Sequence, residues 1–209
     1  MKEKIKAILD LLEERFPDAR LLLTFCNPFE LLVATVLAAQ SPDERVNEVT
    51  KVLFARFPTP QDLAQAPQEE VEEIVRPLNY ARKKAAFVKE ISRVLVEKFQ
   101  GEVPASLEEL VRLPGVGRKT ANIVLANAFH TPAIPVDTHV GRVAQRIGLS
   151  SSSEPEKIEE DLMRSIPKDR WIRATHLLGF LGRLICQARK PRCMICPITK
   201  WCAYPEKNL

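Results

Sequence analysis

The chain of 209 residues is predicted to be all-α. Three observations carry that prediction: apolar residues recur at three- and four-residue spacing in nearly every segment, strand-like alternation is hard to find, and proline or glycine punctuates the intervals. About ten helices are expected on this pattern. The first, Lys4 to Phe16, is amphipathic, and Pro28 to Ala39 follows. Asp43 to Phe57 starts after "QSP" and stops at Pro58, ahead of two shorter segments, Thr59 to Ala66 and Gln68 to Val75. Arg82 to Phe99 ends at Gly101. Ser106 with Glu109 three residues on reads as a capping box opening Ser106 to Arg112. Arg118 to Phe129 sets Ala121, Val124, Leu125 and Ala128 on one face, and Thr138 to Ile147 ends at Gly148. After the turn-like Ser150 to Ser153, "SSSEPE" introduces Pro155 to Ser165, and Arg170 to Ala188 is the last helix. Short connections predict a compact array, with no internal repeat or low-complexity tract.

Composition narrows the class. With 45% hydrophobic and 28% charged residues, the chain reads as an ordered soluble domain. No apolar run reaches the roughly 20 residues of a membrane span, and the amphipathic N-terminus lacks a signal-peptide cleavage site. A cytoplasmic protein is expected, with no membrane partner. The net charge of +4 says little by itself, but its placement says more. Val111 to Val136 holds Arg112, Arg118 and Lys119 without an acid, and Cys186 to Tyr204 holds Arg189, Lys190, Arg192 and Lys200 without one. Two local positive faces follow, suited to an anionic partner.

The stretch "LPGVGRKTANIVLANAF" places a tight turn between two helices. Gly115 and Gly117 permit positive φ and keep side chains away, so that backbone N–H groups beside a helix N-terminus can cradle a phosphate. The spacing L-P-G-V-G-x-x-T-A resembles the helix–hairpin–helix motif, which grips DNA phosphates without reading sequence. Lys119 sits one residue past Arg118 in the first helical turn, where a cation opposes the macrodipole. A plain phosphate-binding lysine is one reading. The other is a nucleophile, because the helix N-terminus, Arg118 and partial desolvation all favour a neutral amine. Asp137, before Thr138, is both a natural N-cap and a candidate partner for that amine.

Taken with "VDTHVGRV", "PFELLVATVLAAQ" and "GEVPASLEEL", the hairpin resembles the endonuclease III family of DNA glycosylases and abasic-site lyases over essentially the full length. The resemblance implies that Lys119 attacks C1′ of an extruded damaged nucleotide while Asp137 assists. A Schiff base and β-elimination would then nick the strand on the 3′ side. It also implies a two-lobed helix–hairpin–helix glycosylase architecture: a six-helix domain at 22–130, an iron–sulfur domain from 1–21 and 131–209, and a cleft between them. The expected partner is double-stranded DNA carrying damaged bases or abasic sites, bound by a monomer. On DNA the protein would be nucleoid-associated.

Cys186, Cys193, Cys196 and Cys202 form a C-x6-C-x2-C-x5-C cluster. Four thiols so close together, without a secretion signal, argue for a metal site over disulfides. Zinc is the alternative, but only one C-x2-C knuckle is present, and the spacing resembles the family's [4Fe–4S] loop. Cys186 is expected to end a helix, with Arg189, Lys190 and Arg192 forming a basic loop for phosphates. Cys26 reads as a packed thiol. Gln40 matches the family's gap-filling glutamine, with a plain polar turn residue as the alternative. Asn79, Tyr80 and Ala81 stand where a glycine, an aliphatic wedge and a tyrosine are usual: Asn79 is expected to take the left-handed conformation and Tyr80 to intercalate. His139 is a phosphate contact by resemblance and a surface histidine otherwise.

Two rivals remain. Adenine- and thymine-mismatch glycosylases share hairpin and cluster, but Lys119 argues against both, and the former add a C-terminal domain where this sequence runs seven residues past Cys202. A non-catalytic DNA-binding module is the other, opposed by the pairing of Lys119 with Asp137.

Overall fold

In the computed structural model, which describes residues 2–209, every regular element is helical. The helices divide between a middle unit, Leu22–Thr131, and a terminal unit made of the chain up to Leu21 and of Pro132–Leu209.

The middle unit is built on α2 (Pro28–Leu37), whose residues from Leu31 to Leu37 are all buried together with Phe29. A helix apolar on every side needs neighbours on every side, and α2 packs against α3 (Asp43–Arg56), α6 (Ala81–Phe99) and α8 (Arg118–Ala128). Its start is held by Asn27, whose Oδ1 accepts from the Glu30 N–H at 2.9 Å, with Pro28 in the first turn. The short α4 (Pro60–Gln65) and α5 (Gln68–Val75) cover α6, which buries Ala85, Val88, Ile91 and Leu95.

The reciprocal capping box lies at Thr59 and Asp62, not at Ser106. Ser106 caps α7 (Leu107–Leu110) one way only, accepting from the Glu109 N–H at 3.4 Å, while its hydroxyl donates to Glu108 at 2.9 Å. That helix is also shorter than expected. The N–H groups of Arg112 and Leu113 reach back only three residues, to Glu109 and Leu110, tightening the chain into the turn before Pro114.

The terminal unit joins α1 (Lys2–Arg15) to α9 (Thr138–Ile147), α10 (Pro155–Ser165) and α11 (Trp171–Leu184). Ile5, Ile8 and Leu12 share one core with Val143, Ile147, Leu162, Leu177 and Leu181. The Arg173 guanidinium ties α11 to the chain after α1, donating to the Glu13 carboxylate and to the carbonyls of Phe16, Pro17 and Ala19. This bond set holds the Glu13 carboxyl below its ordinary pKa.

Helix α11 falls short of the expected Arg170 to Ala188 at both ends. Lys168–Arg170 is a 3₁₀ turn, and Cys186 lies past the helix, its N–H turned back onto the Leu181 carbonyl at 2.7 Å. No helix among the described residues is long and apolar enough to cross a membrane.

Candidate active site and cysteine centre

The corner between α7 and α8 is pinned from below by Leu113 and Val116, both buried. Gly115 adopts φ +71°, where glycine is favoured, and a Cβ there would crowd the Phe87 ring at 3.1 Å. Gly117 differs from the expectation: its φ is −90°, and a Cβ would meet nothing within 4 Å. What this glycine contributes is bare access to the backbone. Gly117 is the N-cap of α8 and offers no side-chain cap, so the start of the helix is open to a ligand or water. Arg118 and Lys119 occupy its first two positions, both exposed. Lys119 is not desolvated as expected, because it lies on the side of α8 opposite Ala121, Val124 and Leu125, the residues that face the core.

Gln40 and Tyr80 come together in the same unit. Both are exposed, and both hold left-handed backbones, at φ +55° and +59°. The expected left-handed Asn79 is a correction: the conformation belongs to Tyr80 instead. Asn79 spends its side chain on the Gln40 carbonyl, donating from Nδ2 at 2.5 Å. That bond leaves the next residue to make the turn into α6. Tyr80 is 65% exposed, in keeping with a wedge.

In the terminal unit Asp137 is the N-cap of α9. Its Oδ1 accepts from the N–H groups of His139 at 2.9 Å and Val140 at 2.7 Å, and Oδ2 makes no bond among the described residues. His139 is half-buried, with Nδ1 3.2 Å from the Arg142 guanidinium. Arginine only donates, so Nδ1 accepts and the ring proton sits on Nε2. Arg142 also donates to the carbonyls of Gly182 and Cys186, at 2.8 and 2.9 Å, connecting the start of α9 to the cysteine segment.

One helical turn on, Arg146 donates to the Cys186 sulfur at 3.4 Å and to the carbonyls of Gln187 and Ala188, and stacks over the Tyr204 ring at 4.4 Å. Sequence reasoning passed over both arginines. Their i, i+4 spacing in "GRVAQR", on the helix that follows Asp137, was the available signal.

Cys186, Cys193, Cys196 and Cys202 line a single cavity with Ile185, Ile198 and Arg146. No three described His, Cys, Asp or Glu side chains converge to grip one metal ion. Thiols spaced around a volume suit a polynuclear iron–sulfur cluster, each iron taking one thiolate, and not a single tetrahedral zinc. Burial pushes the Cys196 thiol above its ordinary pKa, with Cys186 and Cys202 adding to the effect, so thiolate ligation there depends on the positive charge of iron. Thr199 stitches the loop by donating to the carbonyls of Cys193 and Cys196. Arg189, Lys190 and Arg192 are exposed in the first interval, Lys190 at φ +50°. Cys26, expected to be packed, is exposed as a free thiol.

Comparison with known proteins bears directly on these features. Residues 33–168 match the HhH-GPD superfamily of base excision DNA repair proteins, and residues 186–202 match the iron–sulfur binding domain of endonuclease III. The chain is 43% identical to endonuclease III of Bacillus subtilis (strain 168), over 99% of this chain and 94% of that protein. It is 40% identical to endonuclease III of Escherichia coli (strain K12), over 99% and 98%. A solved structure of a trapped endonuclease III–DNA covalent intermediate superposes with a TM-score of 0.91 at 44% identity, covering 97% of this chain and 95% of that one. A thermostable thymine-DNA glycosylase shares the fold, with a TM-score of 0.87 at 24% identity over 97% and 96% of the two chains. The chain therefore belongs to the endonuclease III family of base excision DNA repair proteins, a DNA glycosylase and abasic-site lyase that carries a [4Fe–4S] cluster.

Proposed function

We propose that the protein removes oxidised pyrimidines from double-stranded DNA and nicks the abasic site it creates, acting as a monomer in the cytoplasm with Lys119 as the nucleophile. The Lys119 Nζ attacks C1′ of an extruded nucleotide; the glycosidic bond breaks, and the base leaves with its electron pair and is protonated. Ring opening gives an imine between Nζ and C1′. Loss of a proton from C2′ then expels the 3′ phosphate oxygen, cutting the strand on that side. Asp137 assists activation of the nucleophile, and its charge offsets the positive charge developing on the sugar.

The remaining site residues bind. Backbone N–H groups at Gly115, Gly117 and Arg118 hold a phosphate, His139 offers Nε2–H to another, and Arg189, Lys190 and Arg192 bind the flanking backbone. Gln40 and Tyr80 enter the duplex where the extruded base has left a gap, which offsets part of the cost of unstacking. Cys186, Cys193, Cys196 and Cys202 hold the cluster, which supplies a rigid anchor for the basic loop.

The observation that carries this reading is an exposed lysine at the second position of an uncapped helix, directly after a glycine corner. Its attack on a sugar leaves an imine that borohydride reduces, whereas an activated water would leave none. Incubation with borohydride and a duplex carrying an oxidised pyrimidine is expected to give a covalent adduct with the native protein and none with Lys119→Gln. Absence of an adduct on any lesion would remove the amine nucleophile, base release by the same sample then separating an activated water from a DNA-binding module, and a persisting adduct in Lys119→Gln would move the nucleophile elsewhere.

A further inference from the structure

We propose that Lys84 is a positioning residue that, through Ser41 and Asn79, sets Gln40 and Tyr80 as one two-pronged element before DNA arrives. The inference rests on the reading that these two residues fill the gap left by the extruded base.

Lys84 is the one lysine among the described residues that is buried, at 4% exposure. Its Nζ donates to the Ser41 hydroxyl oxygen at 2.8 Å, and its backbone N–H donates to the Tyr80 carbonyl at 3.0 Å. A single residue is thereby bonded to the neighbour of one prong and to the other prong itself. The Ser41 oxygen also accepts from the Asn79 N–H at 3.3 Å, and Asn79 closes the circuit on the Gln40 carbonyl at 2.5 Å.

Gln40 and Tyr80 carry side chains in the left-handed region, a strained conformation that persists only where surrounding bonds over-determine it. Lys84 and Asn79 together join the loop after α2 to the start of α6. Burial pushes the Lys84 ammonium below its ordinary pKa, so keeping a cation there works against stability. A methionine would fill the same space at no such cost, which makes packing an insufficient reason for a lysine. Preformed prongs lose less conformational freedom on entering the duplex, and base extrusion is the step that gains.

The test compares two substrates: a duplex carrying an oxidised pyrimidine, and a single strand carrying an abasic site, where no stack has to open. The quantity read is the ratio of the duplex rate to the single-strand rate. Lys84→Met and Ser41→Ala are each expected to lower that ratio about tenfold, the scale of one charge-assisted hydrogen bond, and Ser41→Thr to restore it. If Lys84→Met misfolds, both rates fall together and Ser41→Ala decides alone. A native ratio in Ser41→Ala and in folded Lys84→Met, while Gln40→Ala and Tyr80→Ala lower it, would overturn the clasp and keep the prongs. A native ratio in Gln40→Ala and Tyr80→Ala as well would overturn both.

Discussion

Asp137 shows how much one side chain can be asked to do. Its Oδ1 closes the start of α9 through two backbone N–H groups, a task that asparagine performs equally well. In the proposed mechanism the carboxylate charge serves the chemistry. Asp137→Asn is therefore expected to unfold within about 2 °C of the native protein while turnover on a damaged duplex falls about 100-fold or more. A loss of turnover no larger than the loss of stability would leave the residue as a cap alone. The positions of Lys119 and Asp137 were legible in the sequence because helix starts are local events. Tyr80 was not legible in the same way. Its left-handed backbone depends on Asn79 bonding a carbonyl that lies 39 positions away in the chain, and no window of sequence contains both partners. Lys84 did leave a local trace, as a lysine within the apolar stripe of Val88, Ile91 and Leu95.

Between elements, the contact that most constrains the site is the approach of α11 to the first turn of α9. A Cβ on Gly182 would come within 2.8 Å of the His139 Cβ and 3.0 Å of its carbonyl oxygen. Neither atom can swing aside as the tip of a long side chain would. Gly182→Ala is expected to cost about 1 to 3 kcal/mol in urea unfolding. It should also reduce turnover beyond that loss, because the turn being displaced carries Asp137 and His139. Gly179→Ala is the control, since its nearest neighbour would be the Val140 Cγ2 at 4.0 Å. Equal behaviour of the two variants would remove the argument. Helix bounds were read from sequence to within a few residues wherever a cap or a proline marked them. The end of α11 was missed because the chain leaves the helix to form the cysteine loop, a demand set by residues further along.

For the molecule as a whole, one half-buried imidazole on α11, His176, sets a pH response. His176 is held to a pKa of about 4 by desolvation and by the charge of Arg173. The unfolded chain takes up this proton below its ordinary value near 6.5, whereas the folded chain does not until about 4. Stability is thus complete above pH 6.5 and is lost as the pH falls through that window. From pH 7 to pH 5 the native protein is expected to lose about 2 kcal/mol more than His176→Gln in urea unfolding. An identical decline in the two proteins would assign the acid sensitivity to carboxylates instead.

The terminal unit is assembled from the two ends of the chain, and this shapes its synthesis on the ribosome. Helix α1 is synthesised well before α11, against which it packs. The stretch Leu22–Thr131 can finish its own core in the meantime. At ribosomal speeds of about 5 to 20 residues per second, Ile5, Ile8 and Leu12 wait on the order of ten seconds for their cover, a nascent apolar face open to whatever binds such faces in the cell.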